Sequence, residues 1–184
     1  MQHLGPRPPS EIKAMLKSAG YANERLVLLH PTDTATSDLM LQIIAKRLTD
    51  AGLNIDDQIM DVATYVQRRN SRQTVDKGGW SLLLATAPAA DMVSPLINLA
   101  LRTGAAAWNG WPAENPALES VREQWIDSGD AAEQKRLAAR IQETTLEDVL
   151  YVPLGHFVRN SAWRSNVSGI LKCNVPVMWN VSKS

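Results

Sequence analysis

Asp91 is the acid whose setting offers chemistry. It follows an apolar run, Gly79–Trp80–Ser81–Leu82–Leu83–Leu84–Ala85–Thr86, across the short link Ala87–Pro88–Ala89–Ala90, and Pro95 stands four residues further on. A continuous apolar run of this kind reads as a strand buried on both faces. Open α/β sheets take ligands at the carboxyl ends of their strands. A carboxylate there can meet a cationic group such as a free amine, and Ala87, Ala89 and Ala90 can offer backbone groups beside it. Asp91 also suits the cap of a helix that the pattern predicts over residues 95–101. Spacing alone leaves both readings open. Trp108 and Trp111, in Trp108–Asn109–Gly110–Trp111–Pro112, are candidate aromatic walls, because tryptophan offers a rigid face with a polar edge. Six tryptophans against one phenylalanine also admit the plainer reading that they fill core and interface.

Other chemistries find no constellation. His3, His30 and His156 are far apart, and none has a His or Cys two to four residues on, so no zinc pattern forms. His30 ends an apolar run and is expected to be a satisfied surface imidazole. There is no G-x-S-x-G, and Cys173, alone beside Lys172, reads as an inert thiol. No phosphate-cradling glycine motif occurs. Asp33 superficially resembles an acidic phosphoacceptor, but beside Pro31 it reads more simply as a turn residue. Arg68, Arg69, Arg72 and Lys77 form a basic cluster, read as a solvated helix face or, alternatively, a docking patch. The expectation is no catalytic residue, no metal and no cofactor.

Positioning elements follow from periodicity. The 184 residues are 45% apolar and 21% charged, enough for one soluble domain with a core. Nineteen basic residues balance nineteen acidic ones, which disfavours nucleic acid as a partner. No run of about eighteen apolar residues is present to span a membrane. Residues 1–9 read as a Pro-rich linker without a signal-peptide core, 10–160 as an α/β ligand-binding lobe, and 161–184 as an extended tail. Helices are expected over 10–19, 39–51, 61–71, 115–127 and 130–148, and strands over 25–29, 53–60, 80–86 and 151–158. Asp130 with Glu133 makes a capping-box-like start, and Pro153 marks the last strand as an edge. Strands alternating with helices predict an α/β layer with a mostly parallel sheet.

Read in order, several segments resemble extracytoplasmic solute-binding proteins of family 5, the peptide- and nickel-binding class serving ABC importers. Glu11 to Tyr21 looks like the family's A-x-x-L-L-x-x-A-G-Y helix. Leu39 to Ile55 looks like its amphipathic helix and following turn, and Lys77 to Leu82 like the strand leading to the binding loop. Asp130 to Leu154 carries Arg136, Leu137, Gln142, Glu147, Asp148 and Val152–Pro153–Leu154 in the family's order. Arg164 to Gly169 resembles its closing R-x-N-V-x-G. The resemblance covers about residues 10–170 and rests on order and spacing more than on any one motif.

It implies one lobe of a periplasmic-binding-protein-like clamshell (type II, cluster C), with a mixed, mostly parallel sheet flanked by helices. It further implies a periplasmic, non-enzymatic lobe that binds a small solute such as an oligopeptide or dipeptide against an N-terminal lobe of the same protein, and that docks on ABC permease subunits. In the peptide-binding members an aspartate after the central strand pairs with the ligand's α-amino group, and Asp91 falls in that place. Thr86–Ala87 stand where the family often has an aromatic shelf, and no arginine lies between Gly78 and Ala90. The alternative reading is a free-standing α/β enzyme, a hydrolase or phosphoacceptor-like domain, with acids around Asp33, Asp61 and Asp91 gathered at strand ends. A third is an effector-sensing module of a regulator.

Overall fold

The computed structural model describes residues 7–107, 114–158, 160–173 and 177–184. The chain divides into two compact units. One holds the residues up to Thr86 together with Arg102–Asn115; the other holds Ala87–Leu101 with Pro116–Ser184.

The first unit is the α/β layer. In chain order it contains α1 (Pro9–Ser18), β1 (Arg25–Pro31), α2 (Ala35–Asp50), β2 (Asn54–Met60), α3 (Val62–Arg68) and β3 (Leu82–Leu83). The sheet order is β2-β1-β3, and both pairings are parallel. The crossover from β1 to β2 through α2 and the one from β2 past β1 to β3 through α3 step in opposite directions, so if both are right-handed their helices lie on opposite faces. The contacts agree. Val27 and Leu29 face a cluster with Tyr65 of α3, Met60, Val75, Trp80 and Leu83. One residue out of phase, His30 bonds Asp38 of α2 on the other face. Val27 to His30 are almost fully buried, so β1 is the central strand.

The strand over 80–86, expected to be buried on both faces, does run parallel to β1 but is only partly buried. Only Leu82 and Leu83 pair there, beside β1, and Thr86 is exposed. The segment takes one partner among the described residues, so its apolar side chains cover one edge of the sheet and are not its centre. Gly79 is where the chain squeezes in: a Cβ on it would lie 1.9 Å from the carbonyl oxygen of Gln73. Trp80 then donates its indole N–H to the Arg69 carbonyl at 3.2 Å, satisfying its polar edge as the ring packs.

The second unit is built on α4 (Pro116–Asp127) and α5 (Ala131–Glu147). Leu118, Val121, Leu137 and Ile141 form its core with Leu101, and Trp125, Leu150 and Tyr151 pack around them. Asp130 caps α5 by accepting from the amides of Ala132 and Glu133 at 3.3 and 3.2 Å, but only half of the expected capping box forms, because Glu133 bonds Arg136 and the Asp130 amide bonds the Ser128 hydroxyl. Gln134 donates to the Ser128 and Trp125 carbonyls and closes the end of α4. Arg122, 6% exposed, pairs with Glu119 and donates to the Pro95 carbonyl at 3.2 and 3.4 Å. A small antiparallel pair, β4 (Val167–Ser168) with β5 (Ser182–Lys183), lies near the C-terminus.

Two expected elements did not form. Residues 95–101 are turns, with a 3₁₀ turn at Leu99–Leu101. Ser94 and Asn98 explain this: their side-chain oxygens accept from the amides of Leu96 and Ala100, satisfying donors locally instead of through a helix. Residues 151–158 are irregular and mostly exposed, with Pro153 unable to donate to a ladder.

Candidate functional site

In the first unit a cleft of about 200 Å³ opens at the carboxyl ends of β1 and β3. Three segments build it. Pro31, Asp33, Thr34 and Ser37 come from the turn between β1 and α2. Val62, Tyr65 and Arg69 come from α3 and its end, and Leu84, Ala85 and Thr86 come from the chain leaving β3. The parallel sheet dictates this placement, because the segments after adjacent strands part to opposite faces and leave a gap between them.

Of the lining side chains Tyr65 is fixed by its own bonds, and the neighbouring Asp61, Arg68 and Arg72 hold the elements around the cleft. Asp61 caps α3, accepting from the Thr64 amide at 2.9 Å and the Thr64 hydroxyl at 2.7 Å. Its pKa is lowered, first by the backbone hydrogen bond from Thr64 and then by the Thr64 side chain. Tyr65 is buried and donates its phenol to the Leu84 carbonyl at 3.0 Å, which ties α3 to the exit of β3. Burial raises the Tyr65 pKa, with Arg69 pulling the other way. Tyr65 is therefore a neutral wall with a fixed hydroxyl. Arg68, one of the basic cluster, bonds Gln58 of β2 and the carbonyls of Gly78 and Gly79, and Arg72 reaches the Gly104 carbonyl. These two arginines fasten loops.

In the second unit, Ala87 and Ala89 are exposed, Ala90 is half-buried, and Asp91 is exposed within a 3₁₀ turn, Ala89–Met92. The Asp91 amide bonds the Pro88 carbonyl at 3.0 Å. Its carboxylate caps no helix and has no hydrogen-bond or ion-pair partner among the described residues. The same segment continues as Met92, Val93, Ser94 and Pro95 into a second cleft of about 290 Å³, closed by Ile141 and Thr145 of α5 and by Tyr151. Trp108 and Trp111 lie outside the described residues. Of the other tryptophans, Trp80 and Trp125 are core filler, whereas Trp163 and Trp179 are exposed.

His30 was misread as a surface group. It is 1% exposed, with Nδ1 at 2.8 Å from Asp57 of β2 and Nε2 at 2.9 Å from Asp38 of α2. Burial is the largest influence and lowers its pKa, but the two carboxylates together outweigh it and the pKa is raised. The sequence signal was a histidine closing a buried strand, with acids at the start of the next helix and inside the next strand. Among the described residues no group of three or more His, Cys, Asp or Glu side chains stands close enough to hold a metal ion.

No family model matches the chain. A curated relative does: it is 33% identical over 177 residues to the "probable peptide ABC transporter periplasmic-binding protein y4tO" of Sinorhizobium fredii. The match takes in 96% of this chain and 33% of the relative, so the chain spans about a third of the relative's length. Solved structures share the fold. The ABC transporter substrate-binding protein CtaP of Listeria monocytogenes has a TM-score of 0.61 at 15% identity, over 78% of this chain and 29% of that one. The periplasmic murein tripeptide binding protein MppA, in its unliganded open form, has a TM-score of 0.57 at 18% identity, over 79% and 29%. The periplasmic binding protein MelB of Agrobacterium fabrum, solved with stachyose, has a TM-score of 0.60 at 16% identity, over 79% and 25%. The chain is thus similar in sequence to about a third of one periplasmic-binding protein and similar in fold to part of several solved substrate-binding proteins.

Proposed function

We propose that this chain is the solute-binding lobe of an ABC importer's periplasmic receptor, and that it takes a peptide or similar amine-bearing solute without transforming it. The observation that carries this reading is Asp91. It is an exposed carboxylate without a partner among the described residues, in the turn that follows the cleft-lining Leu84–Thr86 in the chain. In this reading Asp91 anchors the ligand's ammonium group, and Ala87, Ala89 and Ala90 supply backbone contacts. Trp108 and Trp111 are aromatic walls. A second lobe, from sequence matching the rest of the longer relative, closes the opposite side. Ligand bridging both lobes shifts an open–closed equilibrium, and the closed form docks on the permease.

The enzyme alternative needs Asp33, Asp61 and Asp91 as converging acids and bases. Asp61 is already committed to Thr64 as a helix cap, which favours binding over turnover. A charged hydrogen bond is worth roughly 1.5–3 kcal/mol, which is about ten-fold or more in affinity. Asp91→Ala, in the protein that carries this chain, should therefore weaken binding of an unblocked tripeptide by about ten-fold or more in a calorimetric titration. Unchanged affinity would remove Asp91 from the site.

A further inference from the structure

His30 sits between two carboxylates, and neither ring nitrogen has another partner among the described residues. Nδ1 is 2.8 Å from Asp57 Oδ1 and Nε2 is 2.9 Å from Asp38 Oδ1. A carboxylate only accepts hydrogen bonds, so each nitrogen must carry a proton for both bonds to exist. A neutral imidazole carries one, and would leave its second nitrogen lone pair against lone pair on a ring 1% exposed. Asp57 belongs to β2 and Asp38 to the first turns of α2, so the ring bolts the helix to two strands. Gln42 also donates to Asp38, at 3.0 Å, and holds that carboxylate in place from one turn further on. The bolted stretch adjoins Thr34 and Ser37, which line the strand-end cleft.

We propose that His30 is a buried imidazolium acting as a positioning residue for that cleft, and that loss of one ring proton frees the first turns of α2 from the sheet.

The groups around the ring bear this out. Asp38 faces it from α2, and Asp57 from β2. β3 meets β1 through Leu82 and Leu83, which do not titrate. α3 lies on the opposite face, where Tyr65 bonds the Leu84 carbonyl and Arg68 bonds Gln58. On that face too, Asp76 pairs with Arg25 at the far end of β1. Asp33, in the adjoining turn, is exposed. Among the described residues no basic group bonds either carboxylate in competition with the ring, so the two negative charges act on His30.

The test is a long-range ¹H–¹⁵N NMR titration of the 184-residue chain from acid to mild alkali, with amide protection factors followed over residues 38–42, the first amides of α2 that have carbonyl acceptors. Both His30 nitrogens should show the protonated signature at neutral pH, with a midpoint above that of an ordinary histidine. Protection in the first turns of α2 should fall through the same midpoint. In Asp38→Asn the amide can donate to Nε2 and satisfy a neutral ring, so the midpoint should drop by about one unit or more. A neutral single tautomer at pH 6, a midpoint unmoved by Asp38→Asn, or protection that ignores the titration would each overturn the assignment.

Discussion

Asp91 and His30 hold charge in opposite settings, and each sets a different kind of prediction. The exposed Asp91 carboxylate contributes little until a ligand removes it from water, so its effect belongs to binding. The His30 ring is already out of water, so its effect belongs to stability. Its folded pKa is raised, so the stabilisation is complete below the unfolded value near 6.5 and fades as pH climbs through the folded one. Asp38 has the opposite sign: its pKa is lowered, first by Gln42 and then by His30, so its contribution fades as pH falls through the folded value. Together they predict greatest stability between about pH 4 and pH 6.5, measurable as the urea midpoint against pH. A third residue is out of balance. Thr145 is 3% exposed, and its hydroxyl has no partner among the described residues. Thr145→Val keeps the shape and removes an unsatisfied buried group, so it should raise the urea midpoint, by up to about 1 kcal/mol in stability. A lowered midpoint would mean that the hydroxyl is satisfied after all.

The elements were legible where a local rule decides them. Asp130 and Glu133 announced the start of α5, and Leu118, Val121 and Trp125 announced the inner face of α4. The helix over 95–101 failed because Ser94 and Asn98 make their own turn, a competition that apolar spacing does not register. The His30 site was hidden for a longer-range reason. Asp57 reaches it only through the parallel register that sets Leu28 beside Asp57, a pairing that no local pattern encodes. Gly79 and Gly169 show the same dependence. A Cβ would lie 1.9 Å from the Gln73 oxygen in the first case and 1.8 Å from the Asn180 oxygen in the second, where φ is also +76°. Gly169 closes the motif over 164–169 because the β4–β5 pairing brings the Asn180 backbone against it. Gly79→Ala should therefore disturb the entry to β3, and Gly169→Ala the small C-terminal pair. Both should lower the thermal midpoint clearly more than Gly129→Ala, where the added methyl meets nothing within 4 Å.

At the scale of the molecule, the order of strands and helices was enough to reach the α/β layer. The division into two units was not, because the chain crosses between them three times, at Thr86–Ala87, Leu101–Arg102 and Asn115–Pro116, and a unit assembled from separate stretches leaves no single boundary in the sequence. The binding account rests on Asp91, an exposed carboxylate with no partner among the described residues, and on a match over 96% of the chain to a third of a periplasmic-binding protein. Its central claim is that Asp91 recognises a ligand's ammonium group. Calorimetric titration of one tripeptide, with its amino terminus free and then acetylated, into the protein that carries this chain tests that claim most directly. The account predicts that acetylation costs about ten-fold or more in affinity in the wild type and almost nothing in Asp91→Ala. Equal affinity for the two peptides in the wild type, or an acetylation penalty undiminished in Asp91→Ala, would contradict it.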